Sequence, residues 1–207
     1  MTPRPRESAC LLAAGLVALI ISRIDAYDSL TWFLEVLPIL IAVPILIATY
    51  SRFRFTPLVY RLIFIHALIL MIGAHYTYAR VPMGVWMQDL FGFARNDFDR
   101  IGHFAQGFIP AIVVREILLR QTPLRRAGWL FALVVSVCLA ASALWEFLEW
   151  WSALALGESS SAFLGTQGDP WDTQSDMFMC FIGSIASLLI FSRLHDRQLS
   201  SLPISSP

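Results

Sequence analysis

The chain has 207 residues, of which 57% are hydrophobic and 14% charged, with a mean hydropathy of +0.65. So little polar surface excludes an ordinary water-soluble domain of this size and points to a lipid bilayer as solvent. The formal net charge is zero, which gives no reason to expect nucleic acid, and all 15 basic residues are arginine.

Six apolar segments follow one another along the chain. The first, residues 9–21, comes after Arg4 and Arg6 and has the outline of a signal peptide. No small-x-small cleavage site follows it, so it reads as a first membrane helix. The second, 30–50, contains Pro38 and Pro44; the third is 58–79. The fourth, 101–119, carries polar residues and Pro110. The fifth is 128–150 and the sixth 176–194, with a short, disordered tail expected after Leu194. Most approach the roughly 20 residues needed to cross a hydrocarbon core of about 30 Å. The expected fold is a single all-α domain, a polytopic bundle of about six transmembrane helices, because a chain in lipid must satisfy its own backbone hydrogen bonds. Each internal proline is expected to kink its helix.

Arginine placement orients the bundle. Arg4, Arg6, Arg52, Arg54, Arg61, Arg115, Arg120, Arg125, Arg126, Arg193 and Arg197 all fall on one side of the six segments. Only Arg23, Arg80, Arg95 and Arg100 fall on the other. The positive-inside rule then puts both termini in the cytoplasm. The outer connections are residues 23–29, 80–100 and 151–175. The second holds Trp86, Met87, Leu90, Phe91 and Phe93, too apolar for a solvated linker, and is expected to pack on the bundle or lie in the membrane interface. The third, with Gly157-Glu158-Ser159-Ser160-Ser161 and Gly165 to Asp172, favours tight turns. Cys10, Cys138 and Cys180 each lie in an apolar run without C-x-x-C spacing, so small buried apolar roles are expected rather than disulfides or a thiolate metal site.

With this topology the ionisable residues gather at the outer end. Asp99 and His103 share one helix face at i, i+4; Glu146 and Glu149 are spaced i, i+3; Asp172 and Asp176 are again i, i+4. Asp97, Arg100, Asp169, Glu35, His75 and Tyr78 fall at the same end. Simpler roles exist. Asp97 and Asp99 can cap a helix start, and Thr173 with Asp176 resembles a capping box. Arg100 can pair with an acid or anchor at headgroups. His75 fits an interfacial histidine, His66 a hydrogen bond inside the bundle, and His195 an inert place in the tail. The glutamates resist such a reading. Counting from Trp129 puts Glu146 about 26 Å along its helix, near the edge of the hydrocarbon, where two acids one turn apart repel. A proton, Arg100 or a divalent metal is needed to compensate them. His103, Glu146 and Asp172 are the candidate metal ligands; Asp99, His103, Glu146, Glu149, Asp172 and Asp176 are the candidates for acid–base work. The metal's identity is open.

Three strings resemble the YjdF family of uncharacterised bacterial inner-membrane proteins: Phe98-Asp99-Arg100-Ile101-Gly102-His103-Phe104-Ala105-Gln106-Gly107-Phe108, Trp145-Glu146-Phe147-Leu148-Glu149-Trp150, and Leu164 through Met177. The resemblance covers essentially the whole chain and implies a multi-pass inner-membrane location without an assigned activity. A looser similarity is to VanZ-like membrane proteins, through Asp99-Arg100-Ile101-Gly102-His103-Phe104, Glu146-Phe147-Leu148-Glu149, and Asp176 with Gly183. Here arginine replaces lysine and Glu149 replaces glutamine. That similarity implies that the three segments form one site.

Three functions fit these residues. The polar cluster can fix helix packing in a structural or accessory protein. It can serve a membrane-embedded enzyme acting on a lipid or lipid-linked headgroup, with a divalent metal as the one cofactor suggested. Or it can bind a small molecule in a transporter, although the sixth segment from Met177 to Phe191 is almost wholly apolar and no inverted repeat is visible. Membrane lipids are the expected partners; protein partners are not legible.

Overall fold

A computed structural model describes residues 5–157, 161–164 and 166–202. Arg4, counted above among the inner arginines, and the turn residues 158–160 and 165 lie outside the described residues. In chain order the helices are α1 (Pro5–Arg23), α2 (Ser29–Thr49), α3 (Pro57–Tyr76), a 3-10 turn (Tyr78–Arg80), α4 (Pro82–Phe91), α5 (Phe98–Gln121), α6 (Gly128–Leu156), the single turn α7 (Ser161–Leu164) and α8 (Asp172–Leu199). The six apolar runs become α1, α2, α3, α5, α6 and α8, each long and apolar enough to cross a membrane. Among the described residues there is no strand. The protein is therefore an all-α, multi-pass membrane bundle.

Local chemistry sets the helix ends. The Asp28 carboxylate accepts from the Thr31 amide at 2.7 Å and caps α2. Pro57 opens α3 and Pro82 opens α4, where a missing N–H costs nothing. Gly92, at φ +68°, closes α4 in the left-handed conformation. The internal prolines Pro38, Pro44 and Pro110 lie in helices that continue past them.

The outside of the bundle is apolar. Ile20 of α1, Leu154 of α6 and Leu189 of α8 are each about two-thirds or more exposed (67%, 70% and 73%). Exposed apolar side chains on so many helices fit a surface that faces lipid. Helix α4 carries exposed Trp86, Leu90 and Phe91, and its main contact is the 3-10 turn, as expected for an interfacial segment.

The most extensive helix contact is between α5 and α8. Glycines allow it. A Cβ on Gly107 would lie 1.9 Å from the Cys180 carbonyl oxygen, and one on Gly183 would lie 2.2 Å from that of Phe104. Small residues at such crossings let backbones approach, which is what drives helix association where lipid offers no hydrophobic gain. Ile109, Ile112, Val134, Cys138, Cys180 and Leu188 fill the layer around this seam.

Several sequence expectations need correction. The third segment stops at Tyr76, because Thr77 takes φ +60° and breaks the helix. A β-branched residue there is strained by about 1–3 kcal/mol. Tyr78 fills the space this turn creates, packed where a Cβ on Gly73 or Gly102 would overlap its ring. Residues 195–199 are not a disordered tail: α8 runs on to Leu199, and Gln198 accepts from the Leu58 amide at 2.9 Å, while residues 203–207 lie outside the described residues. Cys10 is exposed, unlike the buried Cys138 and Cys180. His66 does not make the expected bond through Nε2, which is buried without a partner.

Candidate functional site

The starts of α5 and α8 meet the end of α6 at one end of the bundle. Phe98, buried under the Tyr78 ring, seats the first turn of α5. Asp99 and His103 then project from one helix face, with Asp99 Oδ1 3.5 Å from His103 Nε2. The other ring nitrogen, Nδ1, lies 2.9 Å from Gln106 Oε1 and 3.8 Å from Glu146 Oε1. His103, Glu146 and Asp176 are all buried.

Among the described residues two sets of donor atoms emerge. Asp99, His103 and Asp176 form one; His103, Glu146 and Glu149 form the other, and within each set the atoms lie no more than 4.8 Å apart. Opposite ligands on a Ca²⁺-sized ion are about 4.6–5.2 Å apart, so either set can close on one cation; Mg²⁺, at about 4.2 Å, requires the side chains to draw in. Glu146 Oε1 and Asp176 Oδ1 are buried without a hydrogen-bond partner. Buried carboxylate oxygens left this way are costly, and they face the same small volume as His103.

Asp172 does not join either set. It is held by Arg95, whose Nη2 lies 2.5 Å from its Oδ1. Arg95 also reaches Asp97 at 3.0 Å and donates to the Thr166 carbonyl at 2.7 Å. Burial works against the Arg95 charge, but the hydrogen bonds to Asp97 and Asp172 outweigh it and hold the guanidinium more firmly protonated than usual. Arg100 pairs with Asp169 at 2.9 Å and Asp97 at 3.5 Å, not with the glutamates it was considered to compensate. The capping expectations fail for the same reason. Asp97 makes no side-chain cap at α5, where Asn96 Oδ1 accepts from the Phe98 amide at 3.1 Å instead, and Trp171 rather than Thr173 precedes α8.

These pairs belong to a strap. Asn96 donates its amide to Gln167 Oε1 at 3.1 Å, and Gln167 returns a bond to the Asn96 carbonyl at 2.8 Å. The Asn96 side chain also bridges the Val81 carbonyl and the Phe98 amide. The segment before α5 is thereby tied to the turn before α8, over the acid cluster. Sequence spacing gave no sign of Arg95, Asn96 or Gln167, since their partners lie about 70 residues away. Tyr78 and Glu35 do reach the cluster. Burial, then the neighbouring Glu35, Asp99 and Glu149 carboxylates, push the Tyr78 phenol well above its ordinary range. His75 stays apart, with Nδ1 3.1 Å from the Ser22 carbonyl and its ring edge-on to Tyr76.

A second polar network, unforeseen, sits at the opposite end. His195 is fully buried, not an inert tail residue. Its Nε2 lies 2.9 Å from Glu116 Oε2, and its Nδ1 lies 2.9 Å from Arg115 Nη1. Arginine can only donate, so Nδ1 accepts and the ring proton sits on Nε2. Glu116 also accepts from the Thr56 amide and hydroxyl and from Arg120. Here every carboxylate oxygen is satisfied, in contrast to the His103 cluster. Glu116 had a usable signal, an acid inside an apolar run.

Comparison with known proteins agrees with this architecture. A family model described as "Predicted membrane protein (DUF2238)" matches residues 8–197. Inner membrane protein YjdF of Escherichia coli (strain K12) is 51% identical over 181 residues, covering 87% of each chain. No solved structure matches. These matches bear out the first resemblance drawn from the sequence and add nothing to the VanZ-like one. With six apolar spans and a relative of this identity in the inner membrane, the chain belongs to the DUF2238 family of predicted membrane proteins and is a multi-pass protein of the bacterial inner membrane.

Proposed function

We propose that the His103 cluster binds a divalent cation and that the protein is a membrane-embedded enzyme acting on a lipid or lipid-linked headgroup. The observation that carries this reading is the pair of buried oxygens without a hydrogen-bond partner, Glu146 Oε1 and Asp176 Oδ1, grouped with His103. A cluster serving packing alone would satisfy its own oxygens, as the Glu116 network does. One imidazole with several carboxylates suits Ca²⁺ or Mn²⁺. Asp99, His103 and Asp176 would hold such a cation, which would supply a Lewis acid for a phosphoryl or carbonyl oxygen of the headgroup, and the Glu146–Glu149 pair would be left to hold and move a proton. The arginine bias supports a cytoplasmic location for both termini and a periplasmic one for the cluster.

A transport role fits less well. The apolar layer around Ile109, Ile112, Val134 and Leu188 separates the two polar networks.

The test is headgroup release from protein reconstituted in liposomes of labelled phospholipid. Release that needs added Mn²⁺ or Ca²⁺, and that His103→Ala and Glu149→Gln abolish in folded protein, is the expected result. No release under any of these conditions would remove the enzymatic reading.

A further inference from the structure

Helices α1 and α2 both pack chiefly on α3, and a cleft of about 320 Å³ lies among the three. That volume is within the range of small-molecule sites. Leu12, Ile39, Val43, Ala67 and Met71 give it an apolar body. Leu16 and Ile47 line it and are also exposed on the lipid-facing surface, so the cleft is continuous with the bilayer.

Its far end is different in character. Ser8, Tyr50 and Tyr60 line the cleft there, at the arginine-rich end of the bundle. The Tyr50 hydroxyl is buried and has no hydrogen-bond partner. The Arg54 guanidinium lies 4.8 Å from the Tyr50 ring centre. Arg61 is taken by Glu7 at 2.6 Å, but Arg52 and Arg54 are exposed and make no ion pair among the described residues. The cleft thus combines an apolar slot with one unused buried donor, and the exposed Arg54 guanidinium stands over the ring that carries that donor.

We propose that this cleft binds one anionic phospholipid. An acyl chain occupies the slot between α1, α2 and α3. Its phosphate sits on Arg52 and Arg54, and an ester or phosphate oxygen accepts from the Tyr50 hydroxyl. Basic pockets between membrane helices take anionic headgroups in this way. A helix from a second copy of the chain would fill the slot but bring neither an acceptor for Tyr50 nor negative charge for the arginines. The site is at the opposite end of the bundle from His103 and does not depend on the cation reading.

Native mass spectrometry of the purified full chain tests this, with phosphatidylglycerol and phosphatidylcholine of matched acyl chains added separately. Phosphatidylglycerol is expected to be retained about tenfold more tightly or better, given two free arginines. Ala67→Trp, which fills the slot, should abolish retention of both lipids above the detergent background. Arg52→Ala with Arg54→Ala should erase the preference between them. Tyr50→Phe, which leaves packing intact, should weaken retention several-fold. Equal retention of the two lipids by the unaltered protein would overturn the proposal. So would phosphatidylglycerol binding unchanged in both the Tyr50 and the double-arginine variants, or a lipid-free dimer that Ala67→Trp splits.

Discussion

His195 Nε2 donates to Glu116 Oε2 across 2.9 Å, and both side chains are fully buried. Glu116 lies 13 residues beyond His103 on α5, about 20 Å along the helix. One helix therefore carries a closed polar network at one end and an open one at the other. The contrast defines the roles: the closed network holds the ends of α5 and α8 to the Thr56 turn, and the open one has capacity for a ligand.

The closed network should behave as a stabilising clamp. His195→Ala removes one bond from Glu116 and leaves the Arg115 donor without its partner. The expected cost is about 2–3 kcal/mol, or a fall of on the order of 5–10 °C in unfolding midpoint for a chain of this size. Thermal unfolding in detergent reads it directly. An unchanged midpoint would mean that water replaces the network without penalty.

The α5–α8 seam should be intolerant of a single methyl group. Gly107→Ala and Gly183→Ala each place a Cβ about 2 Å from a facing carbonyl oxygen (1.9 and 2.2 Å). Separation of the helices should cost about 1–3 kcal/mol. Gly128 has nothing within 4 Å of the corresponding position, so Gly128→Ala should be neutral or slightly stabilising. Unfolding midpoints for the three variants give the comparison, and three equal values would contradict the seam's role.

Orientation can be read by labelling. In a chain with Cys10 replaced by alanine, cysteines placed at the exposed positions Asp89 and Arg125 should fall on opposite sides of the membrane. A membrane-impermeant maleimide applied to spheroplasts should modify the first and spare the second until the cells are opened. The reverse pattern would put the acid cluster in the cytoplasm.

Much of this protein is legible in its sequence because lipid imposes simple rules. Apolar length gives the six spans, and helical spacing alone brings Asp99 beside His103 and Glu146 beside Glu149. Pairing between distant segments is not legible. Asp172 has the right spacing for a ligand, yet Arg95 claims it, and nothing local to either residue says so. Hydropathy likewise ends the last helix at Leu194, because it scores His195 and Asp196 as polar without knowing that Glu116 and Arg115 await them. The break at Thr77 is invisible for a related reason: the strained turn is stabilised by the Tyr78 ring, which packs against Gly102 on another helix.

Metal content tests the central claim most directly. The purified protein, dialysed against a micromolar mixture of Ca²⁺ and Mn²⁺, should retain about one equivalent of a divalent ion by inductively coupled plasma mass spectrometry. A folded His103→Ala, Glu146→Ala double variant should retain none. No metal on either protein, or equal metal on both, would contradict a cation site at His103.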